Sequence, residues 1–168
     1  MKGPVAVRRF IESDAGAVRN IILRGLREIN SRDYPPEHIG KTCAAFTPER
    51  ILSQAESAHM YVAVSGEEVV GTGSIAPFWG SLTESILLTI FVLPECIGRG
   101  VGTAIIGALE KDEYFLRASR IEIPSSVTAV EFYRKMGYFP KNGTEPDAEG
   151  LVRMEKYRRS EELMEPNI

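Results

Sequence analysis

Histidine and cysteine are scarce, with two of each in 168 residues. His38 and His59 stand apart from Cys43 and Cys96, so no zinc-ligand spacing exists and no metal is expected. Two cysteines make no disulfide framework. Cys96 lies beside a glycine loop, but no histidine pairs with it in sequence, and it reads as structural or incidental. Tryptophan occurs once, as Trp79, and aromatics reach only 8%. With a net charge of −3 there is no basic field and no basic-aromatic stripe, so nucleic acid is not an expected partner. The longest apolar run, 86–93, is far too short to cross a bilayer, and no membrane partner is expected. Met1-Lys2-Gly3-Pro4 leads into no apolar leader core, so the expectation is a cytoplasmic protein with reduced thiols. The nucleophile elbow G-x-S-x-G is missing. Both common nucleotide fingerprints are missing too. No Lys-Ser/Thr pair follows a glycine at P-loop distance, and a G-x-G-x-x-G count ends on Thr103 from Gly98 and on Ile105 from Gly100.

What the chain does have is an apolar strand that runs into glycines. Residues 86–92 are apolar at nearly every position, which predicts a strand covered on both faces. Pro94 stops it. Ile97-Gly98-Arg99-Gly100-Val101-Gly102 follows and opens an amphipathic helix, expected to run on through Glu110-Lys111-Asp112-Glu113 as a solvated face. Glycines let the backbone turn tightly with its N–H groups inward, and a helix N-terminus adds unpaired donors and partial positive charge. A phosphate or pyrophosphate suits such a cradle. On glycine chemistry alone, a plain strand-to-helix turn stays open. A second segment runs from Ile123 to Tyr138. Ser125 and Ser126 suit an N-cap, and Ala129, Phe132, Tyr133 and Met136 share one helix face. Gly137 suits the residue that ends the helix.

Occurring together and in this order, the two segments resemble the GNAT N-acetyltransferases. The glycine loop is similar to that family's [QR]-x-x-G-x-[GA], with Ile97 standing where Gln or Arg is usual. The second segment is similar to N-x-x-A-x-x-F-Y-x-K-x-G-[FY], with Ser126 where many members carry Asn. The resemblance covers residues 5–157. It implies acetyl-CoA as cosubstrate. The pyrophosphate would sit on the N–H groups of Gly98, Arg99, Gly100, Val101 and Gly102, with Ile97 and Thr103 at the loop's edges. The backbone of Phe91 and Val92 would hold the acyl carbonyl, and Ser126, Ala129 and Phe132 would border the cofactor. Arg99 adds a charged donor or is a solvent-exposed loop arginine.

For the chemistry, the resemblance implies Tyr133 as general acid to the CoA sulfur. A phenol with an ordinary pKa of about 10 suits a thiolate leaving group. Ordinary core packing is the other reading of Tyr133, and still more so of Phe132. Glu84, just before the central strand, is the expected base, or else a solvated strand end. Tyr34, Glu37 and His38 fall in the region that borders the acceptor in this family. The implied activity is direct acetyl transfer from acetyl-CoA to a primary amine: a small metabolite, a peptide N-terminus or a lysine. An acyl-CoA-binding sensor without transfer activity is the alternative, and a homodimer stays open.

Length and composition predict one domain over 1–160 with a polar tail at 161–168. The patterning predicts an order β-α-α-β-β-β-α-β-α-β-β. Ser13 or Asp14 caps the first helix, residues 30–38 form a proline-broken loop, and Thr47 with Pro48 starts the second helix. Hairpins and one strand-helix-strand crossover give an α+β fold, with a central mixed, mostly antiparallel sheet flanked by helices, as in the GNAT fold.

Overall fold

The computed structural model describes residue 1 and residues 3–159, so the tail expected at 161–168 lies outside the described residues. The chain enters as β1 (Val5–Arg9), followed by three helices, α1 (Ala15–Glu28), α2 (Pro36–Ala45) and α3 (Pro48–Ser57). Three strands come next, β2 (His59–Ser65), β3 (Glu68–Pro77) and β4 (Glu84–Val92). Then follow α4 (Val101–Leu109), α5 (Glu113–Leu116), β5 (Arg120–Ser126), α6 (Val130–Lys135), β6 (Phe139–Pro140) and β7 (Leu151–Tyr157). The strands form one sheet in the order β1-β2-β3-β4-β5-β7-β6. Among the described residues only β4 and β5 pair in parallel.

Alternation along β2 splits the core between the sheet's two faces. Met60 and Val62 pack with Val18, Ile22, Ile39, Phe46 and Ile51 of the α1–α3 layer. Ala63 faces the other way, toward Val101, Ile105 and Leu109 of α4. The helices therefore flank the sheet on both sides, as the patterning predicts.

Four local expectations change. Pro36 does not break a helix but begins one, because at the first helical position its missing N–H has no partner to lose. His38 is thus a first-turn residue of α2. The helix after Gly100 ends at Leu109, and Asp112 caps a separate turn of helix by accepting from the Tyr114 amide. The helix of the second motif starts only at Val130, after a 3-10 turn at 127–129. Asp14 spends its carboxylate on Arg8 and the Ile11 amide rather than on the α1 amides. Thr47 does cap α3, accepting from the Arg50 amide at 3.1 Å, and Gly137, at φ +92°, ends α6.

The site follows from what β4 does. Its parallel pairing with β5 spans only Glu84 to Ile86 against Arg120 to Glu122, and past that point the two strands part. On its other edge β4 carries a bulge: Thr72 pairs Phe91 and Ser74 pairs Leu88, so one β3 residue faces two of β4. Thr89, within the bulge, sits at φ +54°, a left-handed conformation that costs a β-branched residue energy. The side-chain amide of Gln54 on α3 clamps it, its Nε2 donating to the Thr89 hydroxyl at 3.0 Å.

Candidate active site

A cleft of about 820 Å³ opens where β4 leaves β5. Because of it, only one face of the apolar strand is covered. Leu87 is fully buried, while Ile86 and Leu88 are half-buried on the cleft side. One end of the cleft is the glycine loop. Gly98 and Gly100 adopt φ of +80° and +84°, which L side chains rarely tolerate, and a Cβ on Gly100 would meet nothing within 4 Å. Conformation rather than crowding demands glycine there, and the result is an open backbone surface at the start of α4. The first amides of α4 have no intrahelical acceptor, so they present donors and partial positive charge to this end of the cleft. Phe132 of α6 closes the wall, its ring so near that a Cβ on Gly102 would come within 3.0 Å of it.

Tyr133 lies in the same wall. It is 5% exposed, yet its hydroxyl makes no hydrogen bond with the described residues. Burial pushes its phenol up, which keeps the proton on the oxygen. The Thr128 hydroxyl, also in this wall, is buried without a partner. Buried hydroxyls are normally bonded, so the unpartnered Thr128 hydroxyl, in the same wall as an unbonded Tyr133 hydroxyl, marks a place prepared for a polar guest.

Charge and aromatic rings line the opposite end. Tyr34 straps the cleft's edge, its hydroxyl donating to the Gly150 carbonyl at 2.5 Å and accepting from the Val127 amide at 2.9 Å. The His38 ring stacks on Tyr34 with centroids 4.5 Å apart, and its nitrogens have no hydrogen-bond partner among the described residues. Arg50 lies over the Phe46 ring at 4.1 Å, and Phe46 meets Phe91 edge-on. Arg153 pairs with Asp147 at 3.1 Å and with Glu149 at 3.3 Å.

The structure brings most of the expected residues to this cleft. Phe91, Val92, Ile97, Gly98, Gly100, Gly102 and Thr103 line it from the strand and loop. Ser126, Ala129, Phe132 and Tyr133 line it from the second motif, and Tyr34 and His38 from the far side. Four residues are not brought there. Arg99 projects from the loop as an exposed side chain. The Val101 side chain is buried in the core under α4, which leaves only its backbone to the loop. Glu37 points along the outside of α2 to Lys41 at 3.2 Å. Glu84 sits at the far start of β4, paired with Arg120 at 3.4 Å, and does not line the cleft. Its expected role as base finds no geometry. Gln54, Thr89, Thr128 and Arg50 were missed. A polar residue inside an apolar strand was the one available signal, at Thr89.

No metal could be held by three or more His, Cys, Asp or Glu side chains among the described residues. No helix among them is long and apolar enough to cross a membrane. Residues 56–140, half of the chain, match the family model of the acetyltransferase (GNAT) domain. The chain belongs to the GNAT acetyltransferase family. Solved GNAT structures share its mixed sheet. A GCN5-related N-acetyltransferase from Rhodopseudomonas palustris has TM-score 0.76 and 23% identity, over 94% of this chain and 98% of that one. The PaiA N-acetyltransferase of Thermoplasma acidophilum, solved with coenzyme A, has TM-score 0.78 and 15% identity over 92% and 99%. An aminoglycoside 6′-acetyltransferase type Ii has TM-score 0.65 and 22% identity over 90% and 96%. At these identities the likeness shows the GNAT fold and not an acceptor. No curated protein matches the chain.

Proposed function

We propose that this GNAT protein transfers an acetyl group from acetyl-CoA directly to a primary amine. One observation carries the reading. The Tyr133 side chain, buried but for its edge, protonated, and with no hydrogen-bond partner for its hydroxyl among the described residues, lies in the wall of a cleft that begins at a left-handed glycine loop and helix N-terminus. The loop end suits the pyrophosphate of CoA, and its backbone conformation depends on Gly98 and Gly100 rather than on Gln or Arg at the Ile97 position. The Phe91-Val92 segment lies just past the Thr89 bulge. Strand amides freed by the bulge and by the parting of β4 from β5 can donate to the thioester oxygen, where negative charge develops. Tyr133 then gives its proton to the departing thiolate. A low-dielectric wall strengthens that hydrogen bond as sulfur gains charge.

The amine must lose a proton. With Glu84 outside the cleft, His38 is the ring base that lines it, and it accepts the proton directly or through water. A binding-only module has no use for the unpartnered Tyr133 hydroxyl, which favours transfer over sensing. Release of free CoA thiol, followed across a panel of amines, tests the proposal. Amine-dependent release that falls with Tyr133→Phe supports transfer, whereas acetyl-CoA binding without release under any amine supports the sensor.

A further inference from the structure

We infer that the acceptor amine belongs to a molecule that also carries an anionic group, a carboxylate or a phosphate, and that Arg50 receives it. The inference rests on the acetyltransferase reading above and concerns only its acceptor. Three side chains of formal charge line the cleft: Arg50, Glu149 and Arg153. Two of them cancel. Arg153 is ringed by Asp147 at 3.1 Å, Glu149 at 3.3 Å and Glu122 at 3.6 Å, and Glu149 is thereby occupied. Arg50 has no ion pair and no side-chain hydrogen bond with the described residues. Although the protein is net acidic, the unpaired charge facing the cleft is one guanidinium.

That guanidinium is also placed for use. Its Cζ lies over the Phe46 ring, 4.1 Å from the centroid, and Phe46 is buried and meets Phe91 edge-on. A stacked arginine has given up rotamer freedom in advance and keeps its N–H fork free for a planar anion. Arg50 and Gln54 share one face of α3, one turn apart, about 6 Å along the axis. Gln54 holds Thr89 in the β4 bulge. Arg50 therefore stands one helical turn from the strand segment where the acyl carbonyl is proposed to lie. An anion on Arg50 would belong to the same small molecule as the attacking amine. Polycationic acceptors would instead need unpaired carboxylates, and none among the described residues lines the cleft. The shared GNAT fold thus does not extend an aminoglycoside-type acceptor to this chain.

The test compares amines that differ only in the anion. Propylamine is set against β-alanine, ethanolamine against phosphoethanolamine, and spermidine serves as polycation, with kcat/KM measured for each at matched free amine. The wild-type protein is expected to prefer at least one anionic member by about tenfold over its neutral partner. Whichever pair shows it separates carboxylate from phosphate. Arg50→Ala should collapse that ratio to about twofold or less, and Arg50→Glu should turn the preference toward spermidine. Arg50 is exposed and outside the core, so both variants should fold. Equal or better turnover of the neutral amines or of spermidine by the wild type overturns the inference, as does a ratio that Arg50→Ala leaves unchanged. Calorimetry with acetyl-CoA on the wild type separates the two levels. Normal binding with neutral preference sinks only the anionic acceptor, and no binding sinks the acetyltransferase reading and this inference with it.

Discussion

The two ends of the cleft are built in different ways. The glycine-loop end is made from consecutive backbone: Gly98 and Gly100 turn it, α4 starts on it, and Phe132 packs against Gly102. The acceptor end is made from side chains of remote segments. Tyr34 reaches Gly150 across 116 positions, Arg50 leans on Phe46, and Arg153 is held by Asp147 and Glu149. A backbone-built end suits one chemical group, and on the proposed function that group is the pyrophosphate common to every acyl-CoA. A side-chain-built end can be changed residue by residue, so on the proposed function acceptor choice is expected there. Substitutions at the two ends should therefore fail differently.

The largest effect is expected between the ends, at Tyr133. Tyr133→Phe keeps the ring in the wall and removes one hydroxyl that makes no hydrogen bond with the described residues. If that hydroxyl protonates the thiolate, kcat should fall about 100-fold, roughly 2.7 kcal/mol, with the acetyl-CoA KM little changed. Stability should hold, since no hydrogen bond is lost. The phenol's pKa is raised by burial, so the donor form persists as pH rises, and no falling limb from Tyr133 should appear in the kcat profile up to about pH 10. Wild-type turnover in the Phe variant would return Tyr133 to plain packing.

Next is Gly100. Asp and Asn tolerate the left-handed conformation better than other side chains, so Gly100→Asp and Gly100→Asn should both fold. Only Asp puts negative charge in the cradle. Its dissociation constant for acetyl-CoA should rise at least about tenfold, 1.4 kcal/mol, and clearly more than that of Asn. Equal calorimetric affinities for the two variants would remove the pyrophosphate from this loop.

At the acceptor end, Tyr34→Phe breaks the strap. It takes a donor from the Gly150 carbonyl and leaves the Val127 amide without its acceptor. Two hydrogen bonds of this kind are worth about 1–3 kcal/mol together, read as a lower urea midpoint at constant m-value. The acceptor KM should rise by a few fold while acetyl-CoA affinity stays near wild type, the reverse of the Gly100→Asp pattern. Equal loss of both affinities would show that the ends are not separable.

The same contrast explains what was legible beforehand. The mixed sheet, the crossover and the glycine loop follow from local patterns, because glycine chemistry, proline stops and apolar periodicity act over a few residues. The bulge at Thr89 was hidden, since its cause lies in Gln54, 35 positions earlier. Strand 86–92 looked buried on both faces because a cleft floor is as apolar as a core. Pro35-Pro36 looked like a break because proline ends a helix at most positions yet starts one at the first. Arg50 carried no local signal at all, for an unpaired arginine is recognised only by what fails to surround it.

The smallest effect is expected at Glu84, which pattern reasoning had made the base. A carboxylate at the start of the central strand looks close to a site at that strand's end. Glu84 lies five positions before Thr89, and an extended strand rises about 3.3 Å per residue, which puts it roughly 17 Å from the bulge. Its Cα partner in the parallel register is Arg120, with which it makes an ion pair at 3.4 Å, half-exposed to solvent. Glu122 and Glu155 hold the Nη2 and Nε sides of Arg120, and Glu84 faces its buried Nη1 without a hydrogen bond. With Arg120 buried but Glu84 more than a third exposed, and no hydrogen bond between them, solvent screening leaves the pair worth about 1 kcal/mol. Glu84→Gln should therefore leave kcat/KM within about twofold of wild type at neutral pH, with a stability change no larger than that. His38→Gln, measured alongside, should lose activity most where the amine is mainly protonated and recover part of it as pH rises, because free amine then forms without the enzyme's help. If instead Glu84→Gln shows that pH-dependent loss and His38→Gln does not, the proton leaves through the far end of β4, and the division of labour between the two ends of the cleft is wrong.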